Sequence, residues 1–132
     1  MMDKNLGKEE RLKGTKAVSA LFSGEKKSKT SFPFRAFYSI KKSKSPIVKF
    51  GVSVPKKKFK KAVDRNRLKR LMKEAIRINK TILHNPLYKH SVSVNVMFVC
   101  NTNAMPNFNL VEIKIKDLLT RLAQDVEDYG KK

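Results

Sequence analysis

A chain of 132 residues is one domain's worth of polypeptide, long enough for a single small core. Its 31 Lys and Arg against 11 Asp and Glu leave a formal charge of +20, far beyond what solubility requires, and this points to a polyanionic partner. No run approaches the roughly 20 apolar residues of a spanning helix, and the opening MMDKNLGKEERLK lacks the apolar stretch of a secretory signal, so a cytoplasmic protein with no membrane partner is expected.

In chain order, Val18, Leu21 and Phe22 fall at i, i+3 and i+4, with Leu12 and Thr15 before them and Gly24 after, which predicts a helix from about Lys8 to Ser23. EKKSKTS, residues 25–31, reads as a polar loop. FPFRAFYSIK (32–41) and IVKFGVSV (47–54) are aromatic and β-branched runs around the turn-forming KSKSP, and they predict an antiparallel hairpin. In the second run Val48, Phe50, Val52 and Val54 share one face. Lys49, Gly51 and Ser53 share the other, leaving that face for a ligand.

PKKKFKKAV then forms a basic connection into KKAVDRNRLKRLMKEAIR, residues 60–77. At 100° per residue Leu68, Leu71, Met72, Ala75 and Ile76 make a continuous apolar stripe, while Asn66, Lys69, Arg70, Lys73, Arg77 and Lys80 project from the far side and Arg65 and Arg67 flank the first turn. Asp64 is the expected N-cap. VSVNVMFVC (92–100) is a strong strand, and Asn109 is the expected cap of a last helix that turns Ile115, Leu118, Leu119, Leu122 and Val126 inward and ends at Gly130. The order α-β-β-α-β-α is that of one α+β domain over residues 1–132, with mobile basic ends at 1–7 and 130–132.

Crowding cations on one helix costs roughly 0.2–0.5 kcal/mol per like-charged neighbour pair. Asp64 and Glu74 are the only acids between Lys56 and Lys80, so intrahelical pairing does not account for the pattern and a nucleic acid does. Arginine suits phosphate because its planar fork binds two oxygens. Neither a helix-turn-helix nor the heptads of a basic zipper accompany this helix, which favours RNA over DNA. The rings of Phe22, Phe34, Phe37 and Tyr38 are candidates to stack unpaired bases, although each also fits a core position.

No catalytic constellation is visible. His84 and His90 lie in TILHNPLYKH without a second cysteine or an acidic cluster nearby in sequence, so they read as surface histidines and no zinc or other metal ligand set is expected. The single cysteine, Cys100, reads as a small core hydrophobe. There is no Gly-rich phosphate loop, HExxH run or nucleophile elbow.

GVSVPKKKFKKAVDRNRLKRLMKEAIR closely resembles the central block of the bacterial ribonuclease P protein subunit: a GxSV strand, a short basic connection, AVxRNR and an amphipathic helix. RLKGTKAVSALF is similar to that family's opening helix and VSVNVMFV to its last strand. The resemblance implies an α-β sandwich with a left-handed β-α-β crossover through the RNR helix. It also implies an accessory role in an endoribonuclease whose RNA removes the 5′ leader of precursor tRNA, with Mg²⁺ held mainly by that RNA and none by the protein alone. No obligate protein partner is implied.

By the same resemblance Arg65, Asn66, Arg67, Lys69, Arg70, Lys73 and Arg77 dock on the catalytic RNA. Phe22, Tyr38, Lys56 and Lys57 line a cleft for the leader. The chain departs from the family pattern at Val18, Ile76 and Asn101 and in a basic connection one residue longer than usual. A structural ribosomal RNA-binding protein is the alternative from another class.

Overall fold

The computed structural model describes residues 27–131 of the chain, so the helix expected between Lys8 and Ser23, and Phe22 with it, lies outside the described residues. Four strands, β1 (Lys27–Ser31), β2 (Phe34–Lys42), β3 (Val48–Ser53) and β4 (Val92–Cys100), form one sheet in the order β1-β2-β4-β3. Three helices complete the described residues: α1 (Ala62–Asn79), α2 (Thr81–His90) and α3 (Phe108–Gly130). The architecture is mixed α+β, with β3 and β4 parallel neighbours joined through α1 and α2.

The hairpin expected between β2 and β3 does not form. β4 lies between them, antiparallel to β2 and parallel to β3. The reason is burial. Val92, Val94, Val96, Phe98 and Cys100 form one fully buried face, and Ser93 and Met97 are buried on the other, so β4 is stable only as a central strand. The short link between β2 and β3 crosses the start of β4 and is fastened there, with Ser43 N donating to Ser91 O (2.9 Å) and Val94 N to Ile47 O (3.0 Å).

β1 replaces the polar loop expected over residues 25–31. Its lysines and hydroxyls carry no apolar alternation because it is an edge strand, where charge is tolerated and discourages further pairing. α3 holds it in place: Lys29 Nζ pairs with Asp125 Oδ1 at 3.2 Å, and Arg121 Nη1 donates to Thr30 O at 2.8 Å. A turn with a cis Phe32–Pro33 peptide joins β1 to β2.

Phe34, Ala36 and Tyr38 of β2, the buried face of β4, and Val48 and Phe50 of β3 meet Leu68, Met72, Ala75 and Ile76 of α1 and Val111, Ile115, Leu118, Leu119, Leu122 and Val126 of α3 in one core. Burial of a Leu, Met or Ile side chain stabilises by about 1.5–3 kcal/mol. A few such residues therefore outweigh the repulsion among the cations on the other side of α1, and the charged face persists on a well-anchored helix.

Three capping and packing expectations change. Lys61, not Asp64, is the N-cap of α1, and no side chain caps it; Asp64 sits in the first turn. Asn107, not Asn109, caps α3, its Oδ1 accepting from Leu110 N at 2.9 Å, because the helix starts two residues earlier than expected, at Phe108. His90 is not a surface histidine: its side chain is 11% exposed and its Nε2 lies 2.8 Å from Glu127 Oε2. That bond, against an opposing effect of burial, holds the Glu127 carboxyl below its ordinary range. Gly130 is the last residue of α3, and the His90 ring packs so closely against it that a Cβ there would clash with the ring.

Candidate nucleic-acid interface

Val54 and Phe59 are buried at the two ends of the basic connection, and Lys58 N and Phe59 N both donate to Pro55 O (3.0 and 3.2 Å). This tight turn sets Lys56, Lys57, Lys60 and Lys61 out into solvent at the entrance to α1. The residue that shapes the connection is thus an aromatic anchor inside a lysine run, which charge counting passes over.

Along α1, Asn66, Arg67, Arg70 and Lys73 are exposed and Lys69 is half-buried. None of these cations pairs with a carboxylate among the described residues. Val63, 67% exposed, lies on the same side and gives the cationic face one apolar contact. Two of the expected contacts are engaged within the chain. Arg65 is half-buried, its Nη1 donating to Phe59 O (2.9 Å) and Lys60 O (2.8 Å), so this side chain locks the connection to the first turn of the helix. Arg77 pairs with Glu74 through Nε (2.9 Å), which holds the Glu74 carboxyl below its ordinary range. Lys80, expected on the far side of the helix, is 1% exposed at the break between α1 and α2.

The leader-cleft residues do not come together as expected. Lys56 and Lys57 are exposed at one end of the sheet. Tyr38, however, is 1% exposed on the core side, where its hydroxyl donates to Asp125 of α3; burial first, and then this bond, push its pKa well above the ordinary tyrosine value. A ring so enclosed offers no face to a base. Phe34 is wholly buried on the same side. Strand alternation gives the other face to Phe37, which is half-buried beside Arg35, whose guanidinium carbon lies 4.9 Å from the ring centroid.

The register defines that second face row by row. Arg35, Val99 and Ser53 stand side by side; then Phe37, Met97 and Gly51; then Ser39, Asn95 and Lys49; then Lys41 and Ser93. The first row adjoins Pro55 and the exposed lysines that lead into α1. Most acids lie elsewhere: Glu112, Asp117, Asp125, Glu127 and Asp128 are on α3, while α1 carries only Asp64 and Glu74 and the strands carry none, so α1 and the second sheet face are the strongly positive parts of the described surface. Among the described residues no helix is long and apolar enough to cross a membrane, and no three His, Cys, Asp or Glu side chains converge as a metal site. Cys100 is buried, with its Sγ 3.6 Å from Thr102 O, and burial pushes the thiol up.

The family profile described as Ribonuclease P matches residues 6–123. The ribonuclease P protein component of Porphyromonas gingivalis is 34% identical over 122 residues, covering 92% of this chain and 88% of the relative. That of Chlorobaculum tepidum is 32% identical over 119 residues, covering 83% and 77%. Among solved structures, the RNase P protein of Thermotoga maritima superposes with a TM-score of 0.66 at 25% identity, over 85% of this chain and 96% of that one. The Staphylococcus aureus RNase P protein reaches 0.68 at 18% identity, over 87% and 96%, a likeness of fold.

Proposed function

Because the chain belongs to the ribonuclease P protein component family, we propose that it is the protein subunit of a ribonuclease P ribonucleoprotein, binding the catalytic RNA and the 5′ leader of precursor tRNA so that the complex cleaves the leader. The observation that carries this reading is the exposed, carboxylate-free row Asn66, Arg67, Arg70 and Lys73 on a helix whose other side buries Leu68, Met72, Ala75 and Ile76 in the core. Such a surface positions phosphates and leaves the bond-breaking chemistry to the partner.

Arg67, Arg70, Lys73 and Asn66 carry the contact with the catalytic RNA, and Lys69 flanks it. Arg65 acts mainly by holding the connection, and Arg77 contributes through what its pair with Glu74 leaves free. The leader lies on the second sheet face, with Lys56 and Lys57 at its near end and Phe37, rather than Tyr38, as the ring beside it. Mg²⁺ belongs with the RNA: Glu74, Asp125 and Glu127 of this chain are already engaged by Arg77, by Tyr38 and Lys29, and by His90. Family membership sets aside the ribosomal alternative, and the working location is the cytoplasm.

The test is selective binding. The full chain is expected to bind ribonuclease P RNA with an affinity that falls steeply with salt, as release of several counterions requires, and to bind a ribosomal RNA fragment of equal length far more weakly. Equal affinity for both RNAs would contradict the proposal.

A further inference from the structure

We infer that the turn between β1 and β2 is a base-stacking site, in which the ring of Phe32 packs on an unpaired nucleotide of the ribonuclease P RNA and the Asn101 amide bonds the edge of that base; this rests on the reading of the chain as a ribonuclease P subunit. Phe32 is 66% exposed, the most open Phe or Tyr among the described residues. The core does not claim it: Ser31 and Phe34, which pair across the turn, are both buried, and Phe32 is left outside.

The turn is held from two sides. Pro33 O accepts from Asn101 N (2.8 Å), and Thr30 O accepts from Arg121 Nη1 (2.8 Å). A ring on a turn so fastened loses little freedom when a base settles on it. The first of these bonds also sets Asn101, itself exposed, beside the turn, and its side chain carries both a donor and an acceptor for a base edge.

Charge selects the partner. No Asp or Glu occurs from Lys27 to Val63 or from Val92 to Val111, the stretches that supply the turn, the start of the link after β4 and the basic connection. Ser53 stands level with Val99, so Lys56 and Lys57, just past β3, start from the same end of the sheet as Asn101. Burial pushes the Cys100 thiol up and the charge of Lys58 opposes it, which places a third lysine near the end of β4. Where α3 approaches, Arg121 faces Asp117 at 3.5 Å and offsets its charge. An open ring and an amide among lysines suit an unpaired nucleotide. The same lysines lead directly into α1, so the RNA that docks on α1 is the one this turn reaches.

The chain contains no tryptophan, so Phe32→Trp introduces a single fluorophore at the site. Titrating ribonuclease P RNA alone, with no precursor tRNA, into the full chain carrying Phe32→Trp is expected to quench its emission in step with binding. Phe32→Leu should weaken binding to that RNA by about tenfold, within the range for one lost stack, and leave the slope of log K against log salt as in the parent, because no phosphate contact is removed. Phe32→Tyr should keep most of the affinity, and Asn101→Ala should lose about fivefold. The melting temperatures of the Phe32 variants should match the parent's, since the ring is exposed. An affinity of Phe32→Leu equal to the parent's, or emission that changes only when a leader-bearing precursor tRNA is added, overturns the site. Selective binding of ribonuclease P RNA with silent emission removes this site alone; a parent chain that binds this RNA no better than a ribosomal RNA fragment of equal length removes the underlying functional reading and the site with it.

Discussion

Arg67→Gln/Arg70→Gln/Lys73→Gln is expected to weaken binding to ribonuclease P RNA by about a hundredfold at moderate salt, at about 1 kcal/mol per exposed contact, and to flatten the salt dependence by about 2–3. All three side chains are exposed on α1 and pair with no carboxylate among the described residues, so their loss removes phosphate contacts and leaves the core untouched. The melting temperature should hold or rise slightly as self-repulsion is relieved. Filter binding across a salt series, with a thermal melt alongside, reads both quantities. Arg65→Gln should behave differently. It frees the carbonyls of Phe59 and Lys60 and loosens the basic connection, so it should lower the melting temperature as well as the affinity.

Met72→Ala is expected to cost about 2–5 kcal/mol, through lost transfer energy and the cavity left between α1 and its neighbours. Met72 is wholly buried on the face of α1 opposite Arg70, in the core that α1 shares with the sheet and α3. A loss of that size is a large share of the 5–15 kcal/mol typical of a domain, and it strikes the element that carries the cations. Denaturant unfolding should show a lower midpoint at unchanged slope. A negligible shift would mean that the two faces of α1 are reversed.

The two faces of α1 are legible in sequence because helical periodicity sorts apolar from basic residues without help from the rest of the chain. The inward row of α3 is legible for the same reason, and each of its five expected residues is buried. What escaped sequence reasoning is what distant segments decide. β1 has no apolar signal because an edge strand held by Lys29–Asp125 and Arg121–Thr30 needs none. The false hairpin arose because a five-residue gap rich in Ser and Lys also suits a link that passes over an intervening strand.

Tyr38 and Phe37 illustrate a finer limit. They are adjacent, so a strand must turn them to opposite faces, yet both are aromatic and nothing local says which faces the core. The deciding partner, Asp125, lies 87 residues away on α3.

Cleavage of precursor tRNA by a bacterial ribonuclease P RNA at low Mg²⁺, with and without the purified chain, tests the central claim most directly. The chain should accelerate removal of the 5′ leader, produce no cleavage in the absence of the RNA, and lose most of its effect in the Arg67/Arg70/Lys73 triple variant. An RNA-catalysed rate unchanged by the chain, or cleavage by the chain alone, would contradict the account.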